Sequence, residues 1–125
     1  MLNRTHHVAI ICSNYEKSID FYVKKLGFSL VREVQRLQQN DILIMLQSGE
    51  TVLELFIKPD APARVTDPEA MGLRHLAFRV ENIEPVVAWL HGQDIETEPV
   101  RNDTINGGRF TFFRDPDGLP LELHE

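Results

Sequence analysis

The sequence predicts an α+β fold of two βαβββ modules, related as a pseudo-twofold repeat, that form an open curved mixed sheet with the helices outside. Three observations predict it. Strand-like and helix-like runs occur twice in the same order, the two halves align without a gap at one offset of 68 (75 − 7), and a proline-rich stretch separates them. With 125 residues, 42% of them hydrophobic and 26% charged, and no biased segment, the chain is expected to be a single domain, residues 1–125. Its modules are then 1–58 and 73–125, joined by a linker over 59–72.

Residues 5–12 (THHVAIIC) are β-branched and apolar enough for a buried strand. Ser13-Asn14-Tyr15-Glu16 then reads as a capping box opening a helix. Ile19, Tyr22, Val23 and Leu26 recur at helical spacing, and Gly27 supplies the stop. Three strand-like runs follow, near 28–35, 41–47 and 51–58. Residues 59–72 hold three prolines and little periodicity. The order then repeats: a strand over 73–80, then a helix capped by Asn82, striped by Ile83, Val86, Val87 and Leu90 and ended by Gly92. Strands near 95–101, 109–114 and 119–124 complete it, with Asp115-Pro116-Asp117-Gly118 as a turn.

The common offset sets His7-Val8-Ala9-Ile10 on His75-Leu76-Ala77-Phe78 and Leu53-Glu54-Leu55 on Leu121-Glu122-Leu123. The interval from histidine to glutamate is 47 in each half (54 − 7 and 122 − 75). Apolar runs match by chance because strands look alike; two polar residues repeating inside them do not. Each glutamate lies between two leucines and so points to the opposite strand face. Taken singly, these residues would read as ordinary surface or satisfied core positions. If the modules pack about a pseudo-twofold axis, the four side chains converge into a mixed nitrogen and oxygen site suited to Ni²⁺, Zn²⁺, Co²⁺, Mn²⁺ or Fe²⁺.

Charge and hydropathy exclude other classes. Thirteen basic against 19 acidic residues leave a net charge of −6, and no Lys/Arg cluster is longer than Lys24-Lys25, so no nucleic-acid partner is expected. The longest apolar runs are five residues, against the roughly 20 of a membrane helix, so none spans a bilayer. The opening MLNRTHH has no apolar core of a secretory signal, and the single Cys12 cannot form an internal disulfide, so a cytoplasmic location is expected.

The order His, Glu, His, Glu on paired modules resembles the vicinal oxygen chelate superfamily of glyoxalase I, bleomycin-resistance and extradiol dioxygenase proteins, the glyoxalase I-like branch in particular. Phe21-Tyr22, Leu26-Gly27-Phe28, Gly72-Leu73-Arg74-His75 and Asp115-Pro116-Asp117-Gly118 carry the resemblance further, over the whole chain. It implies that His7, Glu54, His75 and Glu122 hold one divalent ion, whose remaining positions go to water or to two neighbouring substrate oxygens. It also implies a homodimer, with Glu122 as the catalytic carboxylate of a metal-dependent lyase or isomerase similar to lactoylglutathione lyase. Enzymes of that branch that use glutathione have an arginine four residues after the first ligand and an asparagine four after the second; Ile11 and Lys58 stand there. Both anchors are missing, which points to another small metabolite. The alternatives are a dioxygenase or fosfomycin-type thiol transferase on the same scaffold, and a metal-free binding protein similar to bleomycin-resistance proteins.

Among the remaining residues, Lys58 and Arg109 are candidate contacts for an anionic substrate, and His124 shares the Glu122 face by parity. Arg74 is expected on the face opposite His75. Trp89 is expected in the core, beside Val86 and Leu90.

Overall fold

Asn14, rather than Ser13, begins the first helical segment: its backbone is extended (φ −141°, ψ 123°) and its side chain accepts from the Lys17 N–H. The computed structural model describes residues 1–125 as two compact units, Met1–Pro62 and Ala63–Glu125. The first unit runs β1 (Val8–Cys12), α1 (Tyr15–Ser18), a π-helical segment (Ile19–Lys25), β2 (Ser29–Arg36), β3 (Asp41–Ser48) and β4 (Thr51–Ile57). The single α-helix expected here is thus one α-turn followed by a wider coil, in which the Leu26 N–H bonds to the Phe21 carbonyl at 2.9 Å. The wider coil lets two successive aromatics, Phe21 and Tyr22, both be buried, their rings edge to face at 5.0 Å. Gly27 (φ 82°) then turns the chain, with the Phe28 N–H closing back on the Tyr22 carbonyl.

The first sheet has the order β1-β4-β3-β2, with β1 and β4 parallel and the other pairs antiparallel. Ile10, Cys12, Ile44, Leu46, Leu53, Leu55 and Ile57 are buried on one face. The alternate residues of β3 and β4, Leu43, Met45, Glu54 and Phe56 among them, are only partly covered.

The second unit runs β5 (Leu76–Arg79), α2 (Ile83–His91), β6 (Arg101–Asn102), β7 (Arg109–Arg114) and β8 (Pro120–His124). Its sheet, β5-β8-β7-β6, repeats the first in order and in its parallel outer pair, and neither sheet closes on itself. This is the two-module α+β architecture the repeat requires, realised as two four-stranded sheets. Asn82 caps α2 as expected, but the chain leaves that helix through Asp94 (φ 60°), while Gly92 stays helical. The strand expected over 95–101 shrinks to two residues. Pro99 lacks a donor, so the backbone of the stretch keeps single bonds to β7 in place of a ladder, from the Glu98 N–H to the Phe112 carbonyl and from the Thr111 hydroxyl to the Glu98 carbonyl. Trp89, expected in the core, is 46% exposed; Ile83 and Leu90 provide the buried stripe of α2.

Candidate functional site

Each histidine immediately precedes its unit's first strand, and each glutamate lies on the strand paired in parallel with it. The registers coincide: Ala9 faces Glu54, and Ala77 faces Glu122. An alanine beside each carboxylate leaves room on the sheet for the imidazole two residues earlier. His7 Nε2 stands 3.7 Å from Glu54 Oε1, and His75 Nε2 stands 2.9 Å from Glu122 Oε2. Both carboxylates are largely covered, with side chains 15% and 12% exposed, and Leu53 and Leu55, and Leu121 and Leu123, on either side of them are drawn into the core on the opposite face. The structure thus assembles two imidazole–carboxylate dyads, one in each unit, and contains no group of three or more His, Cys, Asp or Glu able to hold a metal ion.

The second dyad sits in a pocket of about 620 Å³ lined by the second unit alone. Phe112, across the sheet from Glu122, sets its ring edge to face against His75 at 5.1 Å and against Phe110 at 6.0 Å. Its place followed from strand parity with Glu122, but the pairing of β7 with β8 was needed to see it. Arg74, expected on the far face, instead joins the pocket wall, held by two hydrogen bonds to Glu69. The irregular backbone before β5 is the reason: the strand begins only at Leu76, so parity does not reach residue 74.

His124 shares the Glu122 face, stacked on Phe110 at 6.2 Å. Its Nε2 meets Asp103 at 2.9 Å, and that carboxylate raises the imidazole's pKa. Lys58 shares the Glu54 face, but its ammonium lies 2.7 Å from Asp41, which also accepts two bonds from Arg36. Arg109 does not point to the dyad face. It alternates with Phe110 and Phe112, and its guanidinium is engaged by Glu84 at the start of α2 and by Glu125. Arg109 holds Glu125 down to a pKa of about 2, and the pair ties β7 to the chain end and α2.

Residues 4–123 match the glyoxalase/bleomycin resistance protein/dioxygenase superfamily. The chain belongs to that superfamily. It is 54% identical to the Bacillus subtilis (strain 168) protein YwkD, itself uncharacterized, over 100% of this chain and 98% of that one. A solved structure, the glyoxalase family protein from Enterococcus faecalis, superposes with a TM-score of 0.96 at 57% identity, covering 98% of each chain. A more distant relative at 27% identity is a probable lactoylglutathione lyase of Vibrio cholerae serotype O1, matched over 97% of this chain and 89% of that one. No helix is long and apolar enough to cross a membrane.

Proposed function

We propose that this protein is a divalent-metal-dependent enzyme of glyoxalase I type, a lyase or isomerase acting on a small metabolite that presents two neighbouring oxygens. The observation that carries this reading is the repetition of one imidazole–carboxylate dyad in one register on two matched sheets. Two imidazole nitrogens and two carboxylate oxygens suit Ni²⁺, Zn²⁺, Co²⁺, Mn²⁺ or Fe²⁺, so the donor chemistry fits such an ion, with His7, Glu54, His75 and Glu122 as its ligands. When bound, the ion supplies Lewis-acid stabilisation of negative charge developing on a substrate oxygen. Glu122 takes a proton from the carbon beside one oxygen and returns it to the neighbouring carbon. Its flanking leucines hold the carboxylate at a fixed point of β8, and Phe112 and Ala77 bound the space in front of it. The protein works in this reading as a cytoplasmic homodimer without nucleic-acid or membrane partners.

The test is metal content of protein purified without chelator, compared with His75→Ala and Glu122→Ala. About one divalent ion per chain is expected, lost or strongly weakened in either variant. Equal metal in all three would remove the site assignment, and absence of metal from the wild type would favour a metal-free binding protein. Isomerisation of methylglyoxal hemithioacetals of several thiols then tests the reaction. Metal binding without turnover for any thiol points to the dioxygenase or thiol-transferase chemistry of the same scaffold.

A further inference from the structure

Residues 64–72, which the sequence presents as part of the linker, belong to the second unit and, with Arg74, wall the pocket that holds His75 and Glu122. Arg64 is fixed there by its own backbone surroundings: Nη2 donates to the carbonyls of Leu73 and Arg74 at 3.0 and 2.8 Å, the two residues preceding His75. The other arginines of the pocket already have carboxylate partners, Arg74 on Glu69 and both Arg101 and Arg114 on Glu98. Arg64 is anchored through carbonyls and makes no direct ion pair, although its charge helps lower the pKa of Glu69, so its Nε and Nη1 hydrogens remain for an anion. The pocket lining carries four arginines against three glutamates, in a chain whose net charge is −6. A locally cationic pocket on an acidic protein concentrates anions where the rest of the surface repels them.

The floor restricts the rest of the ligand. Phe112 and Phe110 lie between His75 and the Glu98 end, with the Arg101 guanidinium 4.8 Å over Phe110 and that of Arg114 6.0 Å from Phe112. The faces of Phe110 are met by His124 and Arg101, so the floor offers ring edges, which suit a flat body met edge to face. With both Nη2 hydrogens on carbonyls, Arg64 offers an anion its Nη1 hydrogens and one positive charge, enough for one carboxylate, whereas a phosphate dianion calls for more uncompensated charge.

We propose that this pocket binds a small carboxylic acid with a flat unsaturated or aromatic body, its carboxylate on Arg64 and its body against Phe112 and Phe110. This names a substrate class for the function proposed above and takes its catalytic meaning from that reading, but the binding itself needs neither metal nor turnover. The test is an amide NMR titration of the full-length, nitrogen-15-labelled protein in excess EDTA, with benzoate, its neutral analogue benzamide and inorganic phosphate as probes. Benzoate is expected to shift the signals of His75, Phe110 and Phe112 and to bind about tenfold or more tighter than benzamide, a ratio typical of one charged hydrogen-bonded contact. Arg64→Gln should remove that preference and Arg64→Lys should keep part of it. Arg32→Gln, the same charge change in the other unit, should leave it intact. Absence of benzoate binding, equal binding of benzoate and benzamide, tighter binding of phosphate, or an unchanged preference in Arg64→Gln would each overturn the proposal. Because the titration is metal-free, its failure leaves the metal-content result standing. Loss of the metal site with the benzoate preference intact would sink the catalytic reading alone.

Discussion

Glu122 owes its position to its neighbours in the strand. Leu121 and Leu123 are drawn into the core, so the carboxylate between them is turned to the other face, where His75 Nε2 meets it at 2.9 Å. Glu54 is built the same way, yet its histidine stands farther off, at 3.7 Å, and the ring packed on His7 at 5.1 Å is that of its exposed neighbour His6 rather than a phenylalanine held in a strand. That difference supports Glu122 over Glu54 as the proton carrier, since a group that moves a proton must be held at a defined point. Replacing Glu122 by Gln keeps its shape and removes its basicity. At matched metal occupancy, turnover of the best hemithioacetal is expected to fall about 10²- to 10⁴-fold, with KM changing little. Glu54→Gln is expected to act first on metal retention, so turnover per bound ion should fall less than in Glu122→Gln. The reverse order in stopped-assay kcat values would exchange the two roles.

At the scale of elements, the buried carboxylate of Asp41 clasps the β2–β3 hairpin to the end of β4 through Arg36 and Lys58. Hydrogen bonds from Arg36 and then Lys58 hold its pKa well below the ordinary carboxylate value of 3.8. Because the folded value is depressed, the stabilisation is present above the unfolded value and is lost as pH falls through it toward the folded one. Asp41→Asn should therefore lower Tm at pH 7. The gap from wild type should narrow steadily below about pH 4, when thermal unfolding is followed across pH. A gap independent of pH would mean that packing, not charge, holds the hairpin. Elements of this kind were legible where periodicity and polarity agree: β1, β4, β8 and α2 follow from alternation, helical spacing and Asn82. The π-helical segment was not, because the burial of both Phe21 and Tyr22 in succession does not follow from a helical period of 3.6. Nor was the loss of strand over 95–100, where apolar pattern and Pro99 conflict and the single missing donor decides. The partners of Arg109 depend on Glu125 and Glu84, 16 and 25 residues away, a pairing that no local pattern encodes.

For the whole molecule, the repeat at offset 68 made the two dyads readable from sequence, since a common register transfers one geometry to both halves. The pocket wall escaped that reading because prolines and weak periodicity mark residues 59–72 as linker, and at the common offset residues 64–68 have no counterpart in the first module. Two dyads admit two stoichiometries. If each bound its own ion, a substitution in one unit would leave the other site filled, and each two-ligand site would be weak because most of the ion's coordination would remain with water. If one ion takes both dyads, as proposed, four protein ligands stand or fall together. His7→Ala in the first unit and His75→Ala in the second are then expected to reduce bound metal alike, from about one ion per chain to nearly none. The stabilisation conferred by saturating metal, about 2.7 kcal/mol at a concentration 100 times Kd, should disappear in both variants. Metal analysis paired with thermal unfolding, with and without EDTA, reads both quantities. Half the metal retained in each variant, or a thermal shift surviving in one of them, would divide the single site into two and withdraw the shared-ion mechanism.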